Sequence, residues 1–208
     1  MFVLEQEDQE LYDRIQEHNL NRQYELLMNC IEIGLKKGAA ASFDKYMLWA
    51  LNHVAVANIS QFGGRFRVEP IYVGDHKPPH FHEVADWMDR FISTIQENWY
   101  IWSPTELAAY GLWRLNWIHP FIEGNGRTAR AACYYLLCAR SGAILSGRKI
   151  VPERIRDNRD GYERALKAAD RAWDAGHLDF SEMEDYLAVL LQAQLEDDGL
   201  PYHGSSSV

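Results

Sequence analysis

The most regular feature of the sequence is the recurrence of apolar side chains three or four positions apart. In the stretch 22–37, for example, Tyr24, Leu27, Met28 and Ile31 follow this spacing. A period of 3.6 residues places such side chains on one face of an α-helix, so the pattern predicts amphipathic helices packed around a common core. The predicted helices span about 5–18, 22–37, 42–54, 83–99, 103–118, 127–141, 152–176 and 181–191.

The segment 63–75 departs from this helical pattern. Its GlyGlyArgPheArg opening, residues 63–67, is followed by ValGluProIleTyrValGlyAsp, residues 68–75, which is rich in β-branched and aromatic side chains. We therefore expect a short β-hairpin near residues 66–75. Pro70 has no N–H to donate, which suits an edge strand better than a central one. The predicted fold class is all-α, mainly helical, with this hairpin added.

The stretch HisProPheIleGluGlyAsnGlyArgThrAlaArg, residues 119–130, holds the densest set of reactive groups in the sequence. Gly124 and Gly126 flank Asn125, a pattern typical of a tight loop that lets the backbone approach a ligand. A glycine-rich loop that opens a helix presents free N–H groups and the positive end of the helix dipole. Two arginines three positions apart can add positive charge on one side of that helix. Together these groups predict a binding site for a phosphate-bearing anion.

The stretch 119–130 resembles the signature of the Fic family of nucleotide transferases, H-P-F-x-[D/E]-G-N-G-R-x-x-R, at every position. The resemblance implies the mainly helical Fic fold. It also implies a protein adenylyltransferase, which transfers AMP from ATP to a Ser, Thr or Tyr hydroxyl of a target protein and releases pyrophosphate. Three alternatives stay open: transfer of another nucleoside monophosphate, removal of AMP from a target (deAMPylation), and a catalytically silent interaction domain that binds nucleotide.

The resemblance assigns a role to the reactive residues of the motif. His119 is expected to be the general base that takes the proton from the target hydroxyl. Glu123 is expected to hold Mg²⁺, the cofactor that accompanies ATP. The other motif residues are expected to bind phosphate: Gly124, Asn125 and Gly126 around the α-phosphate, Arg127 at the β- and γ-phosphates, and Arg130 at the γ-phosphate.

The same resemblance assigns residues outside the motif. The predicted hairpin corresponds to the family's flap, on which Val68, Ile71 and Tyr72 are expected to align the target's backbone by strand addition. A plain structural turn is the alternative. Tyr162 and Asp170 lie where the family walls its adenine pocket, although core packing explains Tyr162 equally well. Many relatives have Asn at the position of Asp170, and a carboxylate accepts hydrogen bonds but does not donate them.

The predicted domain organisation is an N-terminal helical extension at 1–44, a Fic domain at 45–195 and a flexible tail at 196–208. Many Fic proteins carry an inhibitory Ser/Thr-x-x-x-Glu-Gly/Asn helix whose Glu pairs with the second arginine of the motif. The literal match here is SerThrIleGlnGluAsn at 93–98, which lies between flap and motif and is interpreted as coincidence. We therefore expect an enzyme without intramolecular inhibition, or one restrained by a separate antitoxin protein.

Net charge narrows the range of partners. The 208-residue chain carries a net charge of −9, whereas a nucleic-acid-binding face would be basic. Nucleic acid is therefore not an expected partner. The expected partners are ATP and target proteins that present a hydroxyl side chain, with an antitoxin protein or a second copy of the chain as further candidates.

Cysteine usage and hydropathy indicate the compartment. Cys30, Cys133 and Cys138 show no metal-ligand spacing, and reduced core thiols are typical of a cytosolic protein. The closely spaced histidines of the stretch 76–82 are flanked by prolines, which favour an extended loop over a zinc site. No apolar run approaches the roughly 20 residues of a membrane span, and no signal peptide is recognisable. We expect no membrane association and a cytoplasmic location, with export by a specialised secretion system left open.

Overall fold

A computed structural model describes residues 9–74 and 76–197, and it confirms the mainly helical prediction. Of the helices described, none is both long and apolar enough to cross a membrane. The predicted flexible tail, 196–208, lies outside the described residues from 198 onward. The helices are α1 (Gln9–Lys37), α2 (Ala39–Ser42), α3 (Lys45–Ala55), α4 (Val84–Glu97), α5 (Pro104–Ile118), α6 (Asn125–Ser141), α7 (Val151–Asp157), α8 (Arg159–Asp174) and α9 (Ser181–Glu196), with a 3-10 turn (Phe81–Glu83) before α4.

Helices α5 and α6 form the centre of the fold and pack along each other. Trp113 on α5 and both Tyr134 and Tyr135 on α6 are fully buried. Helices α1 and α3 pack on α6, while α4 and α9 pack on α5. The connection between the two central helices, residues 119–124, is therefore held at both ends by buried, rigid elements, which suits a site that must keep its geometry.

Helix α1 is continuous where the sequence predicted a break at AsnLeuAsn. Asn19 is buried, and its side-chain amide donates to the carbonyl oxygen of Ala57 at 2.7 Å. One turn later the Gln23 side chain donates to the carbonyl oxygen of Leu51 at 3.0 Å. These contacts with α3 and the turn after it stabilise a helical backbone that the local sequence alone would interrupt. The predicted break is wrong because long-range hydrogen bonds decide the backbone conformation here.

The hairpin predicted near residues 66–75 is not confirmed. Among the described residues of this segment there is no strand, and an isolated antiparallel bridge joins Val73 to His76. Val68 and Tyr72 are 79% and 94% exposed, so the alternating side chains have no face to bury. Without a buried face or a third strand, a two-stranded ribbon has little to stabilise it.

The same segment is attached to the loop after α5 instead of to a partner strand. The N–H of Arg67 donates to the carbonyl oxygen of Pro120 at 2.8 Å. Phe66 packs edge-on against Trp49 and at a tilt against Phe121, with ring centroids 5.2 and 5.9 Å apart. The segment therefore lies beside the predicted catalytic loop, although it does so as an irregular chain with turns and bends.

Candidate active site

His119 lies at the C-terminal end of α5 and lines a cleft of about 1180 Å³. Its backbone is left-handed, with φ 49° and ψ 60°, which turns the chain out of the helix. The imidazole Nδ1 lies 3.1 Å from the carbonyl oxygen of Asn116. Because a carbonyl oxygen only accepts, Nδ1 carries the proton in this contact and Nε2 keeps its free electron pair. The ring is therefore in the tautomer that a general base needs.

The protonation of His119 is set by its surroundings. Burial lowers the pKa of His119 from its ordinary value of 6.5 to about 4. The hydrogen bond to the Asn116 carbonyl opposes this change, whereas the nearby side chains of His76 and Arg67 lower the pKa further. A lowered pKa keeps the imidazole neutral near pH 7, so Nε2 is available to accept a proton there.

The loop between α5 and α6 is closed by its own polar side chains. The side chain of Asn125 is buried; its Oδ1 accepts from the N–H of Phe121 at 2.9 Å, and its Nδ2 donates to the Phe121 carbonyl at 2.8 Å. Thr128 closes the next turn, because its N–H and its hydroxyl both donate to the Gly124 carbonyl at 2.9 Å. Both polar atoms of the Asn125 side chain are thus used in hydrogen bonds within the loop. The first N–H groups of α6, at 125–127, precede its first intrahelical hydrogen bond and remain for an anion.

Gly124 allows α6 to begin directly after the loop. It has φ 80°, and a Cβ there would lie 2.6 Å from Val56 Cγ1 and 3.1 Å from Asn52 Nδ2. The same Asn52 side chain donates to the Glu123 carbonyl at 2.9 Å and accepts from the N–H of Gly64 at 2.9 Å. The close approach of α3 therefore requires glycine at this position and fixes the loop from outside the motif.

The charged residues of the motif do not all line the cleft of His119: Arg130 does, whereas Glu123 and Arg127 are absent from its described lining. Glu123 and Arg127 form an ion pair, with Oε1 and Nη2 3.0 Å apart, and Arg127 also donates to the Ala55 carbonyl at 2.7 Å. Arg127 lines a second cavity of about 300 Å³ between α1, α6 and α7. Arg130 lines both this cavity and the cleft of His119, and it forms no ion pair or hydrogen bond with the described residues. Burial lowers the pKa of Arg130, which remains a cation near neutral pH.

The carboxylate beside the loop fits a magnesium ion. The side chain of Glu123 is 28% exposed, and its Oε1 is held by Arg127, which leaves Oε2 for a metal. Within residues 9–74 and 76–197, no group of three or more His, Cys, Asp or Glu side chains is placed to hold a metal by itself. A single carboxylate suits Mg²⁺ that takes its other ligands from phosphate and water. The residues present therefore fit magnesium bound together with a nucleotide.

Helix α8 brings both residues predicted for the nucleotide base to the cleft. Tyr162 is buried, which raises the pKa of its hydroxyl, and this hydroxyl lies near the Asn116 side chain without meeting hydrogen-bond geometry. Asp170 is already engaged: its Oδ1 accepts from Trp113 Nε1 at 2.8 Å, and its Oδ2 lies 3.8 Å from His76 Nδ1. Both side chains border the ligand space, and the Tyr162 hydroxyl has a hydrogen bond to offer.

The residues predicted to dock a target lie next to the cleft and do not line it. The described residues that line the cleft do not include Val68, Ile71 or Tyr72. They do include Val73 and His76, which follow in the same segment. The side chains of Val68 and Tyr72 are almost fully exposed. They are therefore accessible to another protein at the rim of the cleft.

Comparison with known proteins supports the resemblance to the Fic family. The model of the Fic/DOC family matches residues 42–137, a range that includes α3, the segment 63–75 and the whole motif. This part of the chain, slightly less than half of its length, is similar to the Fic/DOC family. Tyr162 and Asp170 lie beyond the matched range, so the family match does not bear on them.

Two curated relatives share the Fic region at moderate identity. Protein adenylyltransferase Fic of Drosophila persimilis is 43% identical over 76 residues, which cover 36% of this chain and 15% of that protein. Protein adenylyltransferase Fic of Nematostella vectensis is 35% identical over 101 residues, which cover 48% of this chain and 22% of that protein. The matched stretch is thus less than a quarter of the length of either relative.

Solved Fic structures share the fold. The Fic domain containing signaling protein from Bacteroides thetaiotaomicron VPI-5482 superposes with a TM-score of 0.63 over 84% of this chain and 70% of that chain, at 20% identity. Fic-1 from C. elegans gives a TM-score of 0.60 over 82% of this chain and 48% of that chain, at 21% identity. At these identities the likeness establishes the helical Fic fold and nothing finer.

The stretch 93–98, which matches the inhibitory Fic pattern, lies at the end of α4. Its Glu97 is exposed and forms no ion pair with any residue that the structure describes. Helix α4 packs mainly on α5, whereas Arg130 belongs to α6. These positions support the interpretation of the match as coincidence.

Two buried polar residues outside the motif, Asn52 and Arg67, hold the loop between α5 and α6. The sequence motifs point to neither of them. Asn52 interrupts the apolar stripe of α3 beside Leu48 and Leu51, which is the signal that would have revealed it. Arg67 ends the GlyGlyArgPheArg run, where it looks like one of two surface cations. Its side chain is instead 3% exposed and donates to the carbonyl oxygen of His119 at 2.9 Å.

Proposed function

We propose that the protein transfers AMP from ATP to a hydroxyl side chain of a target protein and releases pyrophosphate. The curated relatives named Protein adenylyltransferase Fic support this activity. One observation carries the proposal: His119, with Nε2 unprotonated, shares a single cleft with Gly126 at the start of α6 and with the guanidinium of Arg130. A base and a phosphate site in one cleft are what this reaction requires.

His119 acts as the general base in this proposal. Its Nε2 takes the proton of the target hydroxyl while the hydroxyl oxygen forms a bond to the α-phosphorus. The bond from the α-phosphorus to the bridging oxygen breaks, and that oxygen leaves with pyrophosphate. The contact with Asn116 keeps the ring in one orientation. Proton transfer by a well-placed base contributes on the order of 10²–10⁴ in rate.

The start of α6 binds the phosphates. Its first N–H groups, at 125–127, together with the helix dipole stabilise the negative charge that develops on the α-phosphate. Arg130 is half-buried and has no carboxylate paired with it among the described residues, so its guanidinium is free to pair with an anion in the cleft. We assign it to the γ-phosphate. Arg127 keeps further N–H groups for the β- and γ-phosphates while it holds Glu123.

Glu123 would hold Mg²⁺ through Oε2. When bound, the ion neutralises phosphate charge and helps pyrophosphate to leave. The ion pair with Arg127 fixes the orientation of the carboxylate before the metal arrives. This arrangement supports magnesium as the cofactor that accompanies ATP.

Residues outside the motif complete the substrate sites. We infer that Tyr162 and Asp170 border the nucleotide base, because both line the cleft and the Tyr162 hydroxyl has a hydrogen bond to donate. We further infer that Val68, Ile71 and Tyr72 contact the target protein at the rim, since this segment is exposed and runs directly into the cleft lining.

Regulation by a separate protein is consistent with the surroundings of Arg130. No carboxylate pairs with it in the part of the chain that is described, which supports an enzyme without intramolecular inhibition or one restrained by an antitoxin protein. A second copy of the chain is a further candidate partner. We also propose a cytoplasmic location, in which ATP and protein targets are both abundant.

Transfer of label from ATP labelled at the α-phosphate tests the proposed function. The protein is incubated with labelled ATP, Mg²⁺ and cell extract, and label on protein is measured after denaturing electrophoresis. We expect labelled protein with the wild type and almost none with His119→Ala, provided that circular dichroism shows the variant to be folded. Repetition with all four nucleoside triphosphates gives the nucleotide preference.

The other outcomes separate the alternatives. Nucleotide binding without transfer would indicate a silent interaction domain, and release of AMP from a previously modified target would indicate deAMPylation. Equal labelling by the wild type and by His119→Ala would contradict the role given to this histidine. Labelling with γ-labelled ATP alone would indicate phosphate transfer instead.

A further inference from the structure

Arg67 is a buried cation that is satisfied by backbone carbonyl groups. It is 3% exposed, and no carboxylate pairs with it among residues 9–74 and 76–197. Its Nε donates to the His119 carbonyl at 2.9 Å, and its Nη2 to those of Pro79 at 2.5 Å and Ile118 at 3.5 Å. Its Nη1 donates to the Glu69 carbonyl at 3.4 Å. The guanidinium therefore joins both ends of the flap segment to the turn that carries His119.

Burial of a guanidinium without a paired carboxylate is unfavourable, and burial lowers the pKa of Arg67. An apolar side chain could fill the same space without that desolvation. What the guanidinium adds is direction, because its planar fork can hold several carbonyl groups at fixed angles. The hydrogen bonds of Arg67 are therefore what offsets the unfavourable burial of its charge.

Those hydrogen bonds fall on the most constrained part of the active-site loop. His119 adopts a left-handed backbone, φ 49°, without being glycine, which is unfavourable for a residue with a Cβ. The Arg67 side chain holds the carbonyl of His119, and the Arg67 backbone N–H holds the next carbonyl, that of Pro120, at 2.8 Å. Two successive peptide groups are therefore fixed from the flap side of the loop.

We propose that Arg67 is a positioning residue for the transfer reaction: it keeps the His119 turn in its left-handed conformation and links the flap segment, residues 67–79, to the orientation of the base. This inference rests on the proposed role of His119. Arg67 is not among the described residues that line the cleft, so it acts on the rate through the geometry of the imidazole. A shift of 1 Å in such a group lowers a rate by about 10²-fold.

The protonation of His119 shows whether Arg67 acts on the imidazole, and Arg67→Lys, which keeps the charge, separates that charge from the hydrogen bonds that position the turn. Arg67 and His76 are the charged or titratable side chains of the flap segment that act on the imidazole, and the Asn116 carbonyl acts from α5. Arg130 on α6, together with Asp170 on α8, lines the same cleft. Loss of the Arg67 charge makes protonation of the imidazole easier, so the pKa of His119 rises.

Three variants provide the test. Arg67→Met removes both the charge and the hydrogen bonds, whereas Arg67→Lys keeps the charge and loses the planar fork. Arg65→Met is the matched control, because Arg65 lies two positions away, is exposed, donates to the Gln61 carbonyl at 3.4 Å and lies over the ring of Phe62, both at a distance from the His119 turn in the sequence. Thermal unfolding selects the folded variants, and the His119 imidazole resonance is titrated by NMR, with His119→Ala for assignment.

We expect Arg67→Met to raise the pKa of His119 above the wild-type value of about 4, while Arg67→Lys and Arg65→Met leave it near that value. This measurement needs no substrate, so it is informative even if the protein transfers no nucleotide. An unchanged His119 titration in folded Arg67→Met overturns the proposal. If Arg67→Met does not fold, the test rests on Arg67→Lys. A His119 imidazole resonance and a turnover that are both identical to those of the wild type would then overturn the proposal.

The kinetic arm uses the label-transfer reaction. We expect kcat to fall about 10²-fold in Arg67→Met and about 10-fold in Arg67→Lys, with the KM for ATP changed less than about threefold, because the phosphate site is left intact. Arg65→Met should match the wild type. A raised KM with unchanged kcat contradicts positioning. Absence of transfer by the wild type contradicts the proposed function, and the NMR titration then decides the role of Arg67 by itself.

Discussion

The motif loop, residues 119–130, and the flap segment, residues 67–79, lie side by side but differ in how far their own residues stabilise them. The loop closes on itself: Asn125 is almost completely buried and binds both polar groups of the Phe121 backbone. The flap segment has an isolated bridge and large side chains in solvent, with Tyr72 94% exposed. The loop thus combines its own hydrogen bonds with those from Asn52 and Arg67, whereas the large side chains of the flap segment face solvent.

The difference has a functional meaning. A loop that must hold a base and phosphate ligands gains from rigidity, because small displacements lower the rate steeply. A segment that must accept a polypeptide gains from free backbone groups and exposed side chains. Substitutions in the loop should therefore change chemistry and stability, and those of exposed flap side chains should change target recognition alone.

The largest expected effect contrasts His119 with Tyr72. His119→Ala removes the base and should lower the rate of AMP transfer on the order of 10²–10⁴-fold, because the base contributes that much to the rate. Tyr72→Ala should leave kcat within a few-fold and raise the KM for the protein target. Initial rates of label transfer at varied target concentration measure both. A kcat for Tyr72→Ala as low as that of His119→Ala would contradict the division between loop and flap.

The next effect is on stability and compares the glycines at the two ends of α6. Gly124 and Gly142 have nearly the same left-handed φ, 80° and 78°, but a Cβ at Gly142 meets nothing within 4 Å. Gly142→Ala should lower the free energy of unfolding by about 1 kcal/mol from backbone strain alone. Gly124→Ala should lower it by about 3 kcal/mol, because its Cβ also overlaps Val56. Urea denaturation measures both, and equal losses would contradict the close packing of α3 on the loop.

A smaller loss of stability is expected for Asn52, compared with Val68 in the flap. Asn52→Ala leaves the Glu123 carbonyl and the Gly64 N–H without their side-chain partner, which should lower the free energy of unfolding by about 2 kcal/mol. Val68→Ala should change it by less than about 0.5 kcal/mol, because the side chain is exposed. Thermal and urea unfolding provide the measurement. A neutral Asn52→Ala would show that the loop holds its shape without α3.

The smallest expected effect is the pH dependence of the activity, because it changes the rate only in acid and not at neutral pH. His119 works as a neutral base with a pKa of about 4, so kcat/KM should stay level down to about pH 5 and fall as the pH drops through 4. The unfolded chain binds its proton near pH 6.5, so the stability that His119 contributes above that pH is lost as the pH falls from 6.5 to 4. A pH profile of initial rates tests this. An acidic limb near pH 6.5 would contradict the buried environment of the imidazole.

Much of the site could be predicted because its contacts are local. A capping box starts α5: the Ser103 hydroxyl accepts from the Glu106 N–H at 3.0 Å, and the Glu106 carboxylate accepts from the Ser103 N–H at 2.7 Å. Within the motif, partners lie four residues apart, as with Glu123 and Arg127. Contacts between residues three or four positions apart leave a periodic pattern or a short motif, so these contacts can be recognised from the sequence.

The rest could not be predicted because its contacts are distant in sequence. Asn52 reaches the Glu123 carbonyl across 71 positions, and Arg67 reaches the His119 carbonyl across 52. The continuity of α1 through Asn19 depends on a partner 38 positions away. A pattern of polar and apolar residues marks a polar side chain as exposed by default, and only the fold reveals that it is buried with a partner.

The most direct test of the central claim is the position of a bound nucleotide. A crystal structure of the protein with Mg²⁺ and a non-hydrolysable ATP analogue should place the α-phosphate within hydrogen-bond distance of the first N–H groups of α6. The γ-phosphate should lie at Arg130, the metal at Glu123 and the α-phosphorus within reach of His119 Nε2. A nucleotide bound away from this loop, or with its phosphates turned from the start of α6, would contradict the account.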